Sequence, residues 1–188
     1  MSKCGIDIRG RARKLYLNYR TTDEIRKQAV ALLEGCEVDD LDDGHDETKR
    51  YKSLSHGPIP AVVNLKGIEQ AIEKSIDICR LWMVDAAEDM TSSVCVIAST
   101  TDVRNTFAKQ FEKDGFKTSV IDENHNLNSV NETVYFSTMH RAKGLEFDRV
   151  IVISPLEYLG DPVETDSKRK LIYVALTRAK KDAALLLV

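Results

Sequence analysis

The pentapeptide Val94–Ala98 (VCVIA) is apolar at every position, and a strand of that kind needs cover on both faces. That demand is met by a parallel sheet sandwiched between helices, and the neighbouring sequence agrees with it. The apolar pattern switches repeatedly between a period of two and a period near 3.6. Lys14–Tyr19 (KLYLNY), Ala61–Leu65 (AVVNL), Lys117–Ile121, Thr133–Ser137, Arg149–Ile153 and Ala183–Val188 (AALLLV) read as strands. Thr21 to Leu33 reads as a helix, with Thr21 as N-cap and Glu24 at capping-box spacing. From Gly67 to Glu88, Ile68, Ile72, Ile76, Cys79, Met83 and Ala86 recur at helical spacing. Asp102 to Asp114 carries Val103, Phe107 and Phe111 on one stripe and stops at Gly115, and Ser167 to Lys181 is a further helix. The alternation predicts an α/β fold, a mainly parallel sheet with helices on both faces. In such sheets ligands sit beyond the carboxyl ends of the strands, so chemistry is expected just after each strand.

Composition bounds the function. With 188 residues, 43% of them hydrophobic and 30% charged, the chain suits one globular domain spanning 1–188, carrying an acidic, aperiodic exposed loop at 37–56. Its net charge of −3 excludes a polybasic coat. No apolar run reaches the length of a membrane span and the N-terminus has no signal-peptide core. Cys4, Cys36, Cys79 and Cys95 are scattered and read as reduced thiols of a cytoplasmic protein without membrane contact.

Three polar clusters follow strands. Asn18-Tyr19-Arg20-Thr21-Thr22 sets an aromatic ring beside a guanidinium, able to stack on a base and fork onto phosphate, or simply forming a turn and helix cap. Ser137 to Phe147 places Thr138, His140, Arg141, Lys143, Gly144 and Glu146 between two apolar strands. Hydroxyls and cations there suit phosphate contacts, Gly144 permits close approach, and Glu146 can accept from a sugar hydroxyl; the alternative is a solvated connection. Lys170–Lys181 is mostly a buried helical face. Its Arg178 either caps the helix dipole at the surface or aims at a phosphate in a neighbouring site.

Other patterns fail on inspection. Aligning Gly44 with the glycine of a calcium loop puts Leu41 and Arg50 at ligand positions, so the acidic stretch reads as a solvated charge run. His45, His56, His125 and His140 lack partners at metal-ligand spacing, and Trp82 reads as packing rather than a base platform. The sequence contains no GxxxxGK[ST] and no acidic pair closing an apolar strand. Phosphate-reading parts are present without a loop to cradle the phosphates.

In this order the clusters resemble the UvrD/Rep-like superfamily 1 helicases, specifically their second RecA-like domain. LYLNYRTTDEI resembles motif IV, STMHRAKGLEFDRVIVI motif V and KLIYVALTRAKK motif VI. The resemblance implies a RecA-like sheet and an ATP site shared with an N-terminal RecA-like domain, which supplies the phosphate loop and the Mg²⁺ carboxylate. It implies that Tyr19 stacks on adenine, Arg20 reaches the γ-phosphate, Glu146 binds the ribose with Gly144 allowing approach, and Arg178 is the arginine finger. It also implies that Thr138 and His140, with Arg141, face single-stranded DNA during 3′–5′ translocation. This sequence departs from the family at Ser99, where an Arg is usual. Core strands and helices also fill the stretch in which larger members insert a helical subdomain.

These readings make the chain the second motor domain of an ATP-dependent DNA helicase and a piece of a longer polypeptide, itself inactive in hydrolysis. The rival is a non-enzymatic module, derived from such a domain, that binds single-stranded nucleic acid or a partner protein.

Overall fold

A computed structural model describes residues 17–36, 52–85, 92–122 and 133–188. Most of the acidic loop, the start of the first expected strand and the last residues of the helix read to Glu88 lie outside these.

Six strands form one parallel sheet: β3 (Ala61–Asn64), β4 (Val94–Ala98), β5 (Lys117–Val120), β6 (Thr133–Thr138), β7 (Phe147–Ser154) and β8 (Ala179–Leu187). Their spatial order is β3-β8-β7-β4-β6-β5, every pair parallel. This is the expected α/β class, in a RecA-like arrangement. The all-apolar strand is central, with β6 and β7 on its two sides, and all five of its residues are buried.

Strand periodicity divides the core in two. Cys95, Ile97, Val150, Val152, Leu185 and Leu187 point to one face, where Ile25, Ala29, Ile172 and Leu176 cover them. Val94, Val96, Ile151, Ile153, Ala184 and Leu186 point to the other, beneath Ala71, Cys79, Phe107 and Phe111. Helices α1 (Asp23–Ala31) and α4 (Pro162–Leu176) therefore lie on the first face, α2 (Ile68–Asp85) and α3 (Thr101–Lys113) on the second. On that second face Phe111 meets Phe136 edge-on, at 5.2 Å between ring centroids. Trp82 is buried there, as packing. No helix among the described residues is long and apolar enough to cross a membrane.

Several expectations need correction. β1 (Leu17–Asn18) does not join the large sheet; it pairs in parallel with β2 (Lys52–Ser53), a strand the aperiodic composition concealed. The cap of α1 is Thr22, whose hydroxyl accepts from the Ile25 amide at 3.3 Å, and not Thr21. The capping box fails accordingly, because Glu24 turns outward to His56 and the Gly57 amide, each at 2.9 Å. The last helix starts at Pro162, capped by Asp161, and stops at Leu176, where the reading had Ser167 to Lys181. Residues from Ala179 on are needed to pair with β7 from Phe147, so the final strand begins at Ala179 instead of Ala183.

Candidate functional site

A further correction concerns where the candidate residues meet. Glu146 directly precedes β7 and Arg178 directly precedes β8. Both therefore stand at the amino ends of their strands, opposite to the edge anticipated. The cause is the connection from β6 to β7. Parallel strands require the chain to return to the starting edge, and here it does so in one tight descent. The Met139 amide bonds to Ala98 O, Ala142 to Thr138 O and Leu145 to Ala142 O, at 3.0, 2.9 and 3.0 Å. Gly144 closes this turn at φ +89°, a left-handed conformation that favours glycine. A Cβ at Gly144 would meet nothing within 4 Å, so within the chain its role is conformational.

At the amino edge three segments converge. Arg20, from the turn after β1, places Nε 2.5 Å from Glu146 Oε1. Lys180, two residues beyond Arg178, places Nζ 3.4 Å from Glu146 Oε2. Arg178 is half-buried and anchored on the chain itself: Nε donates to Val174 O at 2.9 Å, Nη1 to Leu145 O at 3.4 Å and Nη2 to the Thr177 hydroxyl at 3.4 Å. A guanidinium has five N–H donors, so these contacts leave one hydrogen on each terminal nitrogen. Burial depresses the Arg178 pKa most and the neighbouring Arg20 charge depresses it further, with Glu146 and Tyr173 acting the other way. The group stays charged, and its surroundings favour an added anion. Tyr19, adjoining Arg20, is 66% exposed and presents a free ring at the rim.

The second group lies at the opposite end of the sheet. Thr138 is level with Ala98 and Ile153, about 20 Å from the start of β7 at 3.3 Å per residue. His140 and Arg141 are exposed there. Thr138 is buried, and its hydroxyl accepts from the Arg141 amide at 3.4 Å, capping the descending turn. The structure thus separates the sequence-derived residues into a cationic cluster (Tyr19, Arg20, Glu146, Arg178) and a distant polar turn (Thr138, His140, Arg141).

Two participants escaped the sequence reading. Lys180 was hidden because a helix would have turned it away from Arg178, whereas a strand sets residues two apart on one side. Gly57 packs against Thr22 and Lys181, chain neighbours of the cluster: a Cβ there would lie 2.8 Å from Thr22 Cγ2 and 2.9 Å from Lys181 O. Asp148, next on β7, is held by Ser93, whose amide and hydroxyl both reach its Oδ2 at 2.9 Å. Desolvation raises the Asp148 pKa, but the Ser93 bonds and the Lys181 and Lys180 charges outweigh it, and the net shift is downward.

Mg²⁺ has no evident place in the cluster. Two guanidiniums, one ammonium and a single carboxylate are the wrong donor set for a hard cation, and no group of three or more metal-ligating residues occurs among the described residues.

Comparison with known proteins bears on family and fold. Residues 133–186 match the family model of the UvrD-like helicase C-terminal domain. A stretch of 55 residues is 42% identical to the ATP-dependent DNA helicase UvrD1 of Mycobacterium leprae (strain TN), covering 26% of this chain and 7% of that protein. The match thus spans a small fraction of the relative's length. The C-terminal domain of a possible DNA helicase from Lactobacillus plantarum WCFS1 superposes with a TM-score of 0.63 at 21% identity, over 91% of this chain and 88% of that one. That likeness establishes a shared fold.

Proposed function

We propose, from the premise that this chain carries a UvrD-like helicase C-terminal domain, that it is the second motor domain of an ATP-dependent DNA helicase. In this reading residues 1–188 form one domain that completes an ATP site and grips single-stranded DNA during 3′–5′ translocation. The observation that carries it is the meeting of Arg20 and Lys180 on one carboxylate, Glu146, with Arg178 bonded to the adjoining Leu145 carbonyl and an exposed tyrosine alongside. Three cations around one anion leave a net positive site, suited to a polyphosphate that arrives with its own partner domain.

The roles follow from reach and chemistry. Tyr19 offers its face to the adenine. Arg20 forks onto the γ-phosphate. Arg178, held by three contacts to its own chain, presents its remaining hydrogens where charge develops on the transferring phosphoryl group, without reorganising at the moment of reaction. Glu146 accepts from the ribose hydroxyls beside Gly144. The phosphate loop and the Mg²⁺ ligands belong to an N-terminal RecA-like domain, since the cluster suits neither. His140 and Arg141, on the turn capped by Thr138, contact the DNA backbone at the far end of the sheet. Movement of one RecA-like domain against the other then couples the two ends. The protein works in the cytoplasm, where both substrates are.

The test is reconstitution. The 188-residue chain is mixed with a separately made N-terminal half, and DNA-stimulated ATP hydrolysis is measured. Arg178→Ala is expected to lower turnover by about 10³-fold. Equal rates for wild type and variant would refute the finger, and failure of any mixture to hydrolyse ATP while the chain still binds single-stranded DNA would favour the non-enzymatic module.

A further inference from the structure

Glu146 has two carboxylate oxygens, and they face cations of different origin. Oε1 meets Arg20, which follows a strand of the small two-stranded sheet, at 2.5 Å; Oε2 meets Lys180, on the large sheet, at 3.4 Å. The Lys180 side follows the first rung of the β7–β8 ladder, where the register shifts between Phe147 and Arg149. Phe147 is in register with Ala179, and its amide donates to Arg178 O at 2.9 Å, so Glu146 and Lys180 flank the same pair. A triphosphate competes for Arg20, because a guanidinium forks onto phosphate at least as well as onto a carboxylate. Once Arg20 turns away, Glu146 would lose its nearer counter-ion and its fixed rotamer.

We propose that Lys180 is a positioning residue of this site: it retains Glu146 through Oε2 when Arg20 leaves Oε1 for phosphate, and so keeps the carboxylate aimed at the sugar hydroxyls of the nucleotide. This rests on the nucleotide reading given above. An ammonium suits the task better than a second fork. It is a compact charge on a flexible stem with three donors, able to follow the carboxylate over a short displacement. Lys180 touches neither phosphate nor sugar in this role. Its effect is on the discrimination between a nucleotide and a bare polyphosphate chain.

The experiment is an NMR-monitored titration of the 188-residue chain, mixed with the separately made N-terminal half, with ATP and, separately, with inorganic tripolyphosphate at fixed ionic strength. Loss of one positive charge weakens both ligands together, so the informative quantity is the ratio of the two affinities. Lys180→Met is expected to lower the preference for ATP over tripolyphosphate by about threefold, as befits a half-exposed ion pair. Glu146→Gln should lower it at least as much, the double variant no further, and Lys180→Arg should largely restore it. A ratio unchanged in Lys180→Met, or losses that add in the double variant, would overturn the proposal. A wild-type mixture of the two halves that binds neither ligand would overturn the nucleotide reading itself, and the positioning role with it. Binding of both ligands with a ratio indifferent to Glu146→Gln would leave the phosphate reading standing and remove the sugar contact on which Lys180 depends.

Discussion

Gly57 has no room for a side chain. Its missing Cβ would sit 2.8 Å from Thr22 Cγ2 and 2.9 Å from the backbone oxygen of Lys181, and the latter cannot step aside without moving β8. Gly57→Ala is therefore expected to destabilise the fold by about 1–3 kcal/mol, read as a lower urea midpoint at unchanged slope. It should also disturb the neighbouring Lys180. A midpoint equal to wild type would show that the loop yields freely. The sequence marks Gly57 only as half of a Gly-Pro turn signal; the crowding that excludes a side chain there is not written in any local pattern. Arg178 is the converse case. Its motif was legible, but the alternatives of surface cap and phosphate reader were not separable until its bonds to Val174, Leu145 and Thr177 were known. Those bonds make it a half-buried, pre-oriented cation.

At the level of elements, α1 is fastened to the small sheet by one carboxylate. Asp23 accepts from Arg26 Nη2 at 2.9 Å, pairs with Lys27 at 2.8 Å and accepts from the Ser53 amide at 3.4 Å. Lys27 chiefly, then Arg26, hold its pKa well below the usual carboxylate range; desolvation opposes them and the Ser53 bond assists. Because the folded-state pKa lies below the unfolded one, the network's contribution is complete above the unfolded value of about 3.9 and is lost as pH falls through and below it. Thermal unfolding between pH 6 and pH 3 should show Tm dropping at the acid end. Asp23→Asn should lower stability by roughly 2–3 kcal/mol at neutral pH, because it takes the charged acceptor from buried Arg26 and from Lys27, and should flatten the acid limb. An acid limb as steep as that of wild type would place the titrating group elsewhere. Much of this level was readable: strand and helix identities followed from period, and α3 and its Gly115 stop came out nearly as expected. The boundaries of α4 and β8 did not, because a basic run ending in Lys181 continues a helical pattern locally, while pairing with β7 rewards extended backbone from Ala179.

At the scale of the whole molecule, the chain gathers cations around Glu146 and has no sequence of the GxxxxGK[ST] type to cradle a phosphate. The 188-residue chain by itself is accordingly expected to hydrolyse ATP at no more than background rate, with or without single-stranded DNA, in a coupled phosphate-release assay. Clear DNA-stimulated turnover would contradict a shared site. The net charge of −3 gives no hint of this division. It averages an acidic stretch at 37–47 against cations gathered at the amino edge of the sheet. The amino-acid sequence by itself determined the α/β class, the two-sided burial of Val94–Ala98 and the residue types at Arg20, Glu146 and Arg178, because burial and local conformation are written in short periods. Only the tertiary structure decided that Arg20 comes from a separate sheet, that β6 leads past β4 to β7, and that Glu146 and Arg178 meet at the amino edge while His140 lies at the other. Strand order is set by contacts between residues far apart in the chain, and no local period carries that information.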